Sequence, residues 1–405
     1  MKLFTSLASV ISLRALNILG NAAVGVVLAR QLSLLDRGYV AAISSVIGIS
    51  VILIASPKGE DILKNHKVTL HGKIPKQITF HFWQFVMIAL ISIGYFLFAI
   101  ELKLMFLTYV LICALIYSSS INSLRQAFMF HKFHTFGHQL ALTLHSITYA
   151  LFLISAFTFL DANVNVWLLA LLCSDLLLLA ALRKINKDVL INFKWNLISR
   201  NQQISGVAKK SFIERISVYV AAFYLQLTII SASIFYSADL LAYFAIGLSL
   251  ATLISLPITP FLPRIISNSK EFIAEFQSLK KAKFLLILIG IIFYLVCATK
   301  SFQVFIPILY GAKYYPLVGY VPVIVLCGVM IGCVSIITTL LRGLKKYSLS
   351  MVVSSLGLFS FTFGATILVI FDQGIYQTFL LLLVSNLVSV LAGIIVLSSR
   401  KVLKP

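Results

Sequence analysis

Two stretches of this 405-residue chain place a guanidinium and a row of hydrogen-bonding groups along one face of an otherwise apolar helix. In the first, Arg14, Asn17 and Asn21 recur at i, i+3 and i+7, with Gly25 continuing the line. Positions so spaced share a helix face. In the second, Arg215, Tyr219, Ala222 and Gln226 form a matching stripe, with Glu214 and Ser217 beside it. A cation flanked by amides and a phenol is suited to holding an anion and hydroxyl-rich groups. Bond-breaking chemistry has no such support: GxxxxGKS/T, HExxH and GxSxG are all missing from the sequence, and no polar segment is long enough to house an active site. The chain is expected to bind or move something without catalysis, cofactor or metal, with H+ or Na+ as the one small ion its acidic residues suggest.

Each charged position has a plainer reading as well. Arg215 lies close to Lys210 in the sequence, so its side chain could snorkel to the headgroups and pair with Glu214. Arg14 is deeper, and its structural alternative is a pair with Asp175, a carboxylate well inside an apolar stretch. Asp175 and Glu214 are the candidates for ion coupling, because a buried carboxylate can lose or gain its charge. His131, His134, His138 and His145 fall within one arc of a helix. Zinc would need more neighbouring ligands than this, so the four imidazoles are expected to pack at the membrane interface, with phosphate contact or pH sensing as the alternatives. The five cysteines lack metal-type or redox spacing and read as buried reduced thiols.

Such faces need membrane-spanning helices to carry them. The chain is 60% hydrophobic and 11% charged, with a mean hydropathy of +1.02. A water-soluble globule is only about half apolar. About twelve stretches approach the ~20 apolar residues that cross a hydrocarbon core: 8–29, 39–56, 81–99, 104–120, 136–159, 166–182, 211–233, 240–262, 284–299, 317–340, 350–371 and 375–398. The ninth is short, and Pro307, Gly311 and Pro316 are expected to break the helix after it.

Lys and Arg alternate between the polar gaps. Most of the 33 fall in the N-terminus, in 57–80, 121–135, 183–210, 263–283 and 341–347, and in the tail from Ser399. The intervening gaps hold Arg30, Arg37, Lys103, Lys300 and Lys313. The basic side, with both termini, is therefore expected to be cytoplasmic. The net charge of +21 is spread along loops beside an anionic leaflet, which argues for membrane lipids as partners and against nucleic acid.

The longest basic connector, 183–210, separates an expected six-helix lobe over 1–182 from another over 211–405. Ser123-Leu124-Arg125 after the fourth stretch is echoed by Leu340-Leu341-Arg342-Gly343 after the tenth. The expected fold is an all-α polytopic membrane protein with two lobes in the same orientation around a central cavity, lined by the two arginine stripes.

Leu28-Ala29-Arg30-Gln31-Leu32-Ser33-Leu34-Leu35-Asp36-Arg37-Gly38-Tyr39 resembles the turn between the first two helices of Wzx-type polysaccharide flippases, although the family more often has a Gly-Pro pair near Ser33 to Arg37. Leu256-Pro257-Ile258-Thr259-Pro260-Phe261-Leu262-Pro263-Arg264 and Leu309-Tyr310-Gly311-Ala312-Lys313-Tyr314-Tyr315 are similar to that family too. The resemblance covers nearly the whole chain, including the two-lobe plan of the wider MATE-like MOP superfamily. It implies a multi-pass protein of a bacterial inner membrane that turns an undecaprenyl-diphosphate-linked oligosaccharide to the outer leaflet. Arg14 and Arg215 would then offset the pyrophosphate, and Asn17, Asn21, Tyr219 and Gln226 would meet the sugar. A polysaccharide polymerase and a chain-length regulator would be its partners. The alternatives are a MATE-type antiporter of organic cations or drugs, whose cavity would favour acids and aromatics over arginine, and a non-transporting scaffold for polysaccharide assembly.

Overall fold

The computed structural model describes residues 2–65, 77–81, 106–185, 190–194, 212–255, 281–370 and 374–398, with isolated positions within 262–273. The chain forms two compact units, Met1–Lys209 and Lys210–Pro405. Among the described residues, nine helical segments are long and apolar enough to cross a bilayer. Phe223–Phe235 and Tyr294–Tyr310 are shorter apolar helices. The expected span 81–99 lies almost wholly outside the described residues. Large apolar side chains point outward, with Phe106 82% and Ile395 69% exposed, while serines, threonines and Asp175 are buried. That distribution suits a lipid surround, and the chain is a multi-pass membrane protein.

The first unit comprises α1 (Lys2–Gln31), α2 (Leu34–Asn65), β1 (Gln77–His81), α3 (Phe106–Phe159), α4 (Val164–Ile185) and β2 (Leu190–Lys194). α3 packs against α1, α2 and α4. Its 54 residues would reach roughly 81 Å as a straight rod, far beyond a hydrocarbon core of about 30 Å. Instead the element doubles back. Ser119 and His145 would stand roughly 39 Å apart on a straight helix, yet both bond to the Asp175 carboxylate. The fourth and fifth expected spans are thus the arms Phe106–Gln126 and Gln139–Phe159 of one helical element, with helix continuing through the basic stretch between them.

The strands are a departure from the expected all-helical chain. β1 and β2 pair in parallel, from Gln77 opposite Leu190 to His81 opposite Lys194. Their β-branched and aromatic positions, Ile78, Thr79 and Phe80 against Ile191 and Phe193, favour extended backbone. Parallel pairing needs a long crossover, and here α3 and α4 supply it.

The second unit comprises α5 (Phe212–Phe235), α6 (Ala238–Ser255), α7 (Lys281–Tyr310), a 3-10 segment (Ala312–Tyr320), α8 (Val321–Gly343), α9 (Tyr347–Ile370) and α10 (Ile375–Ser398). α8 packs on α6 and α10, and α9 on α5 and α10. Phe244 stacks on Phe361 with centroids 5.8 Å apart and lies 5.6 Å from Phe379. Gly328 lets α8 approach α6, because a Cβ there would run into the Ala251 carbonyl and the Ile254 side chain. α7 continues beyond the break expected after its apolar stretch. Pro307 sits within its last turn, where a missing N–H removes only one helical bond. The Gly311 N–H donates to the Pro307 carbonyl at 3.1 Å, and Gly311 then ends the helix with φ of +95°.

Candidate functional site

A buried polar cluster in the first unit surrounds Asp175 on α4. The residue is 2% exposed. Its Oδ2 accepts a hydrogen bond from the Ser118 hydroxyl at 3.0 Å and another from Ser119. Its Oδ1 lies 2.9 Å from Nε2 of His145, whose side chain is 28% exposed. Asn122 Nδ2 donates to the Asp175 backbone carbonyl at 2.8 Å. One arm of α3 supplies Ser118, Ser119 and Asn122, and the other supplies His145. The i, i+1, i+4 spacing of the first three puts them within reach of one helix face.

A second layer holds the imidazole. The Ser174 hydroxyl donates to the His145 carbonyl at 3.3 Å and lies 3.0 Å from the Thr148 hydroxyl. Tyr149 stacks on His145 at 6.3 Å between centroids. The Tyr149 hydroxyl accepts the Trp167 indole N–H at 2.6 Å. Each of these contacts joins α3 to α4 or one turn of α3 to the next. The imidazole is thus fixed against the carboxylate while keeping an exposed edge.

The contact pairs a carboxylate oxygen, an acceptor, with an imidazole nitrogen that can donate to it. Asp175, expected as an ion-coupling candidate, lies buried against two serines and His145. His145 departs from the interfacial packing expected of the four histidines, because its Nε2 is directed at a buried acid. The side chains of His131, His134 and His138 lie outside the described residues.

The arginine stripes fare differently. Arg14 is half-buried on α1. Asn21 Nδ2 donates to Asn17 Oδ1 at 3.1 Å, one turn away on α1. Thr143 of α3 donates to the Leu13 carbonyl at 2.7 Å, fastening α1 at that level. The Asp175 carboxylate, the alternative partner for Arg14, bonds to Ser118, Ser119 and His145. On α5, Tyr219 stacks on Phe223 at 5.6 Å. Gln226 Oε1 is buried with no hydrogen-bond partner among the described residues. The side chains of Glu214 and Arg215 lie outside the described residues. Cys173 and Cys297 are exposed, whereas Cys327 is buried; thiols in apolar spans can face lipid as readily as the core.

Sequence reasoning also missed the buried polar pair of the second unit. The Tyr224 hydroxyl donates to Asn386 Oδ1 at 3.1 Å, and Asn386 Nδ2 donates to the Leu382 carbonyl at 2.7 Å. An asparagine inside the apolar run of the last span was the signal for it. Among the described residues, no group of three or more His, Cys, Asp or Glu side chains could hold a metal ion.

No protein-family model matches the sequence, and no curated protein matches it. Solved structures do. The chain is similar to an inward-facing multidrug resistance transporter of the MATE family, MOP superfamily, with TM-score 0.59, 16% identity and 95% of each chain covered. It is similar also to the lipid II flippase MurJ in an inward closed conformation, with TM-score 0.60 and 14% identity, over 100% of this chain and 89% of that one. A MATE structure in a straight conformation follows at TM-score 0.50 and 14% identity, covering 97% and 94% of the two chains. The chain has the fold of the MATE and MOP transporters.

Proposed function

We propose that this protein is an ion-coupled transporter of the MATE type, moving its cargo by alternating access, with Asp175 and His145 as the coupling pair. The observation that carries the reading is the 2.9 Å contact between that imidazole and a carboxylate buried among helices. Coupling needs a group inside the membrane that holds an ion in one conformation and releases it in another. The serine hydroxyls steady the charged carboxylate, and the exposed edge of His145 gives a proton a route to it. An organic cation is the cargo best matched to this chemistry, since a buried acid draws cations and can trade one for a proton. Likeness in fold to a multidrug transporter supports that choice.

A second cargo has its own support. The likeness to a lipid II flippase is as close, and Arg14 with Asn17 and Asn21 would suit a pyrophosphate-linked sugar. In that reading Arg215 would also meet a pyrophosphate, Tyr219 and Gln226 a sugar, Glu214 would be a further ion-coupling candidate in a bacterial inner-membrane protein, and polysaccharide assembly enzymes would be the partners.

Purified protein in vesicles separates the two. Under an imposed proton gradient, efflux of a fluorescent organic cation that is lost in Asp175→Asn is the expected result. Movement of a labelled lipid-linked oligosaccharide without cation efflux would transfer the protein to the second reading. Full cation efflux in Asp175→Asn would remove Asp175 from the mechanism.

A further inference from the structure

Toward the basic end of the first unit, the surroundings of Asp175 turn from polar to apolar around a buried cation. The first arm of α3 and α4 run side by side in step: Thr108 donates to Asn165 Oδ1 at 2.6 Å, and Ser118 donates to Asp175 ten residues further along each helix. The same step brings Arg125 level with Leu182. Ser118, Asn122 and Arg125 follow i, i+4 and i+7, so they share one helix face. Asn122 donates to the Asp175 carbonyl, and Arg125 stands seven residues beyond Ser118, or roughly 10 Å along the axis.

Arg125 is 7% exposed, and its Nε and one terminal nitrogen, Nη1, are buried with no hydrogen-bond partner among the described residues. A cation placed only to anchor the bend to lipid headgroups would extend to reach them; this guanidinium stays inside. Apolar groups flank the same stretch, where Ala141 of the second arm packs with Leu178 and Leu182 of α4. These helices offer no countercharge at that level, since α3 contains no acid and α4 only Asp175. Holding a cation in such a place has a large electrostatic cost, and its effect on a passing proton follows from its sign. A polar line from Asp175 through Asn122 would help a proton along, whereas a fixed positive charge at the end of that line repels it.

Resting on Asp175 as the coupling group, we propose that Arg125 is an electrostatic barrier that closes the line between Asp175 and the basic end to protons. In this conformation it keeps a proton on the carboxylate from slipping through without cargo. Arg125 touches neither cargo nor carboxylate in this role; it acts through its charge alone.

The full chain in vesicles tests it with protons as the only probe: an internal pH dye follows acidification under a potassium diffusion potential, with no organic cation present. Wild type is expected to be tight. Arg125→Met and Arg125→Gln, both uncharged, should admit protons about tenfold faster, the effect of one unit charge about 10 Å away at an effective dielectric of roughly 20. Arg125→Lys keeps the charge and should stay tight. Adding Asp175→Asn to either uncharged variant should abolish the leak, because the route runs through the carboxylate. Wild-type tightness in both uncharged variants overturns the proposal. So does a leak of the same size in Arg125→Lys, or one that persists beside Asp175→Asn, since either would mark a packing defect. The outcome is independent of the cargo: a protein that behaves as expected here yet moves no organic cation would lose the transport reading and keep the barrier.

Discussion

The two units bury polar groups in different ways. In the first, the central polar group is an acid facing an imidazole, with serines completing the shell. In the second, a tyrosine hydroxyl meets an asparagine amide, and Ser389 of α10 donates to the Val353 carbonyl of α9 at 2.9 Å. Both arrangements tie helices together with bonds that lipid cannot replace. Only the first contains groups that change charge. The second is a neutral fastening, whereas the first is the pair proposed above to couple an ion.

Replacing Asp175 with Asn tests that contrast most severely. The amide fills the same volume and still accepts from the serines, so the fold should survive, while gradient-driven flux in vesicles should fall to the level of empty vesicles. His145→Gln should act in the same direction but less completely, because the acid remains; equal flux in His145→Gln and wild type would make the imidazole a structural partner only. Gly328→Leu sharpens the comparison from the other unit. Its side chain has no room beside Ala251 and Ile254, and overpacking of this kind costs about 1–3 kcal/mol, to be read as a lower melting temperature. Tyr224→Phe is the mildest change. It removes one interhelical hydrogen bond, worth about 0.6 kcal/mol and at most about 1.7 kcal/mol in a membrane protein, and should leave transport untouched. A collapse of flux in Tyr224→Phe would erase the distinction between a switching unit and a static one.

The nine long apolar helices among the described residues were legible from apolar length, because a bilayer imposes one length on every crossing. The stretch 375–398 coincides with Ile375–Ser398, and 136–159 with the arm ending at Phe159. Asp175 was legible for the same reason, being a carboxylate where lipid tolerates few. Its partners were not. Helical periodicity groups residues on one element, as it did for the four histidines, but it cannot say which residue of another helix stands opposite. The bond between His145 and Asp175 comes from two antiparallel arms packing on α4. Ser118, Ser119 and Asn122 lay at the edge of what reads as a polar loop, so their place in a helix face was hidden. The strand pair was hidden more deeply, since Gln77 and Leu190 are joined only after two long helices have folded between them.

The doubling back of α3 has a mechanical result. Both arms are fastened to the same side chain, so Asp175 works as a rivet through a folded strap. Push one arm and the other follows across a few atoms, with no need for strain to travel around the bend. Removing that one side chain would take the shared anchor from both arms at once.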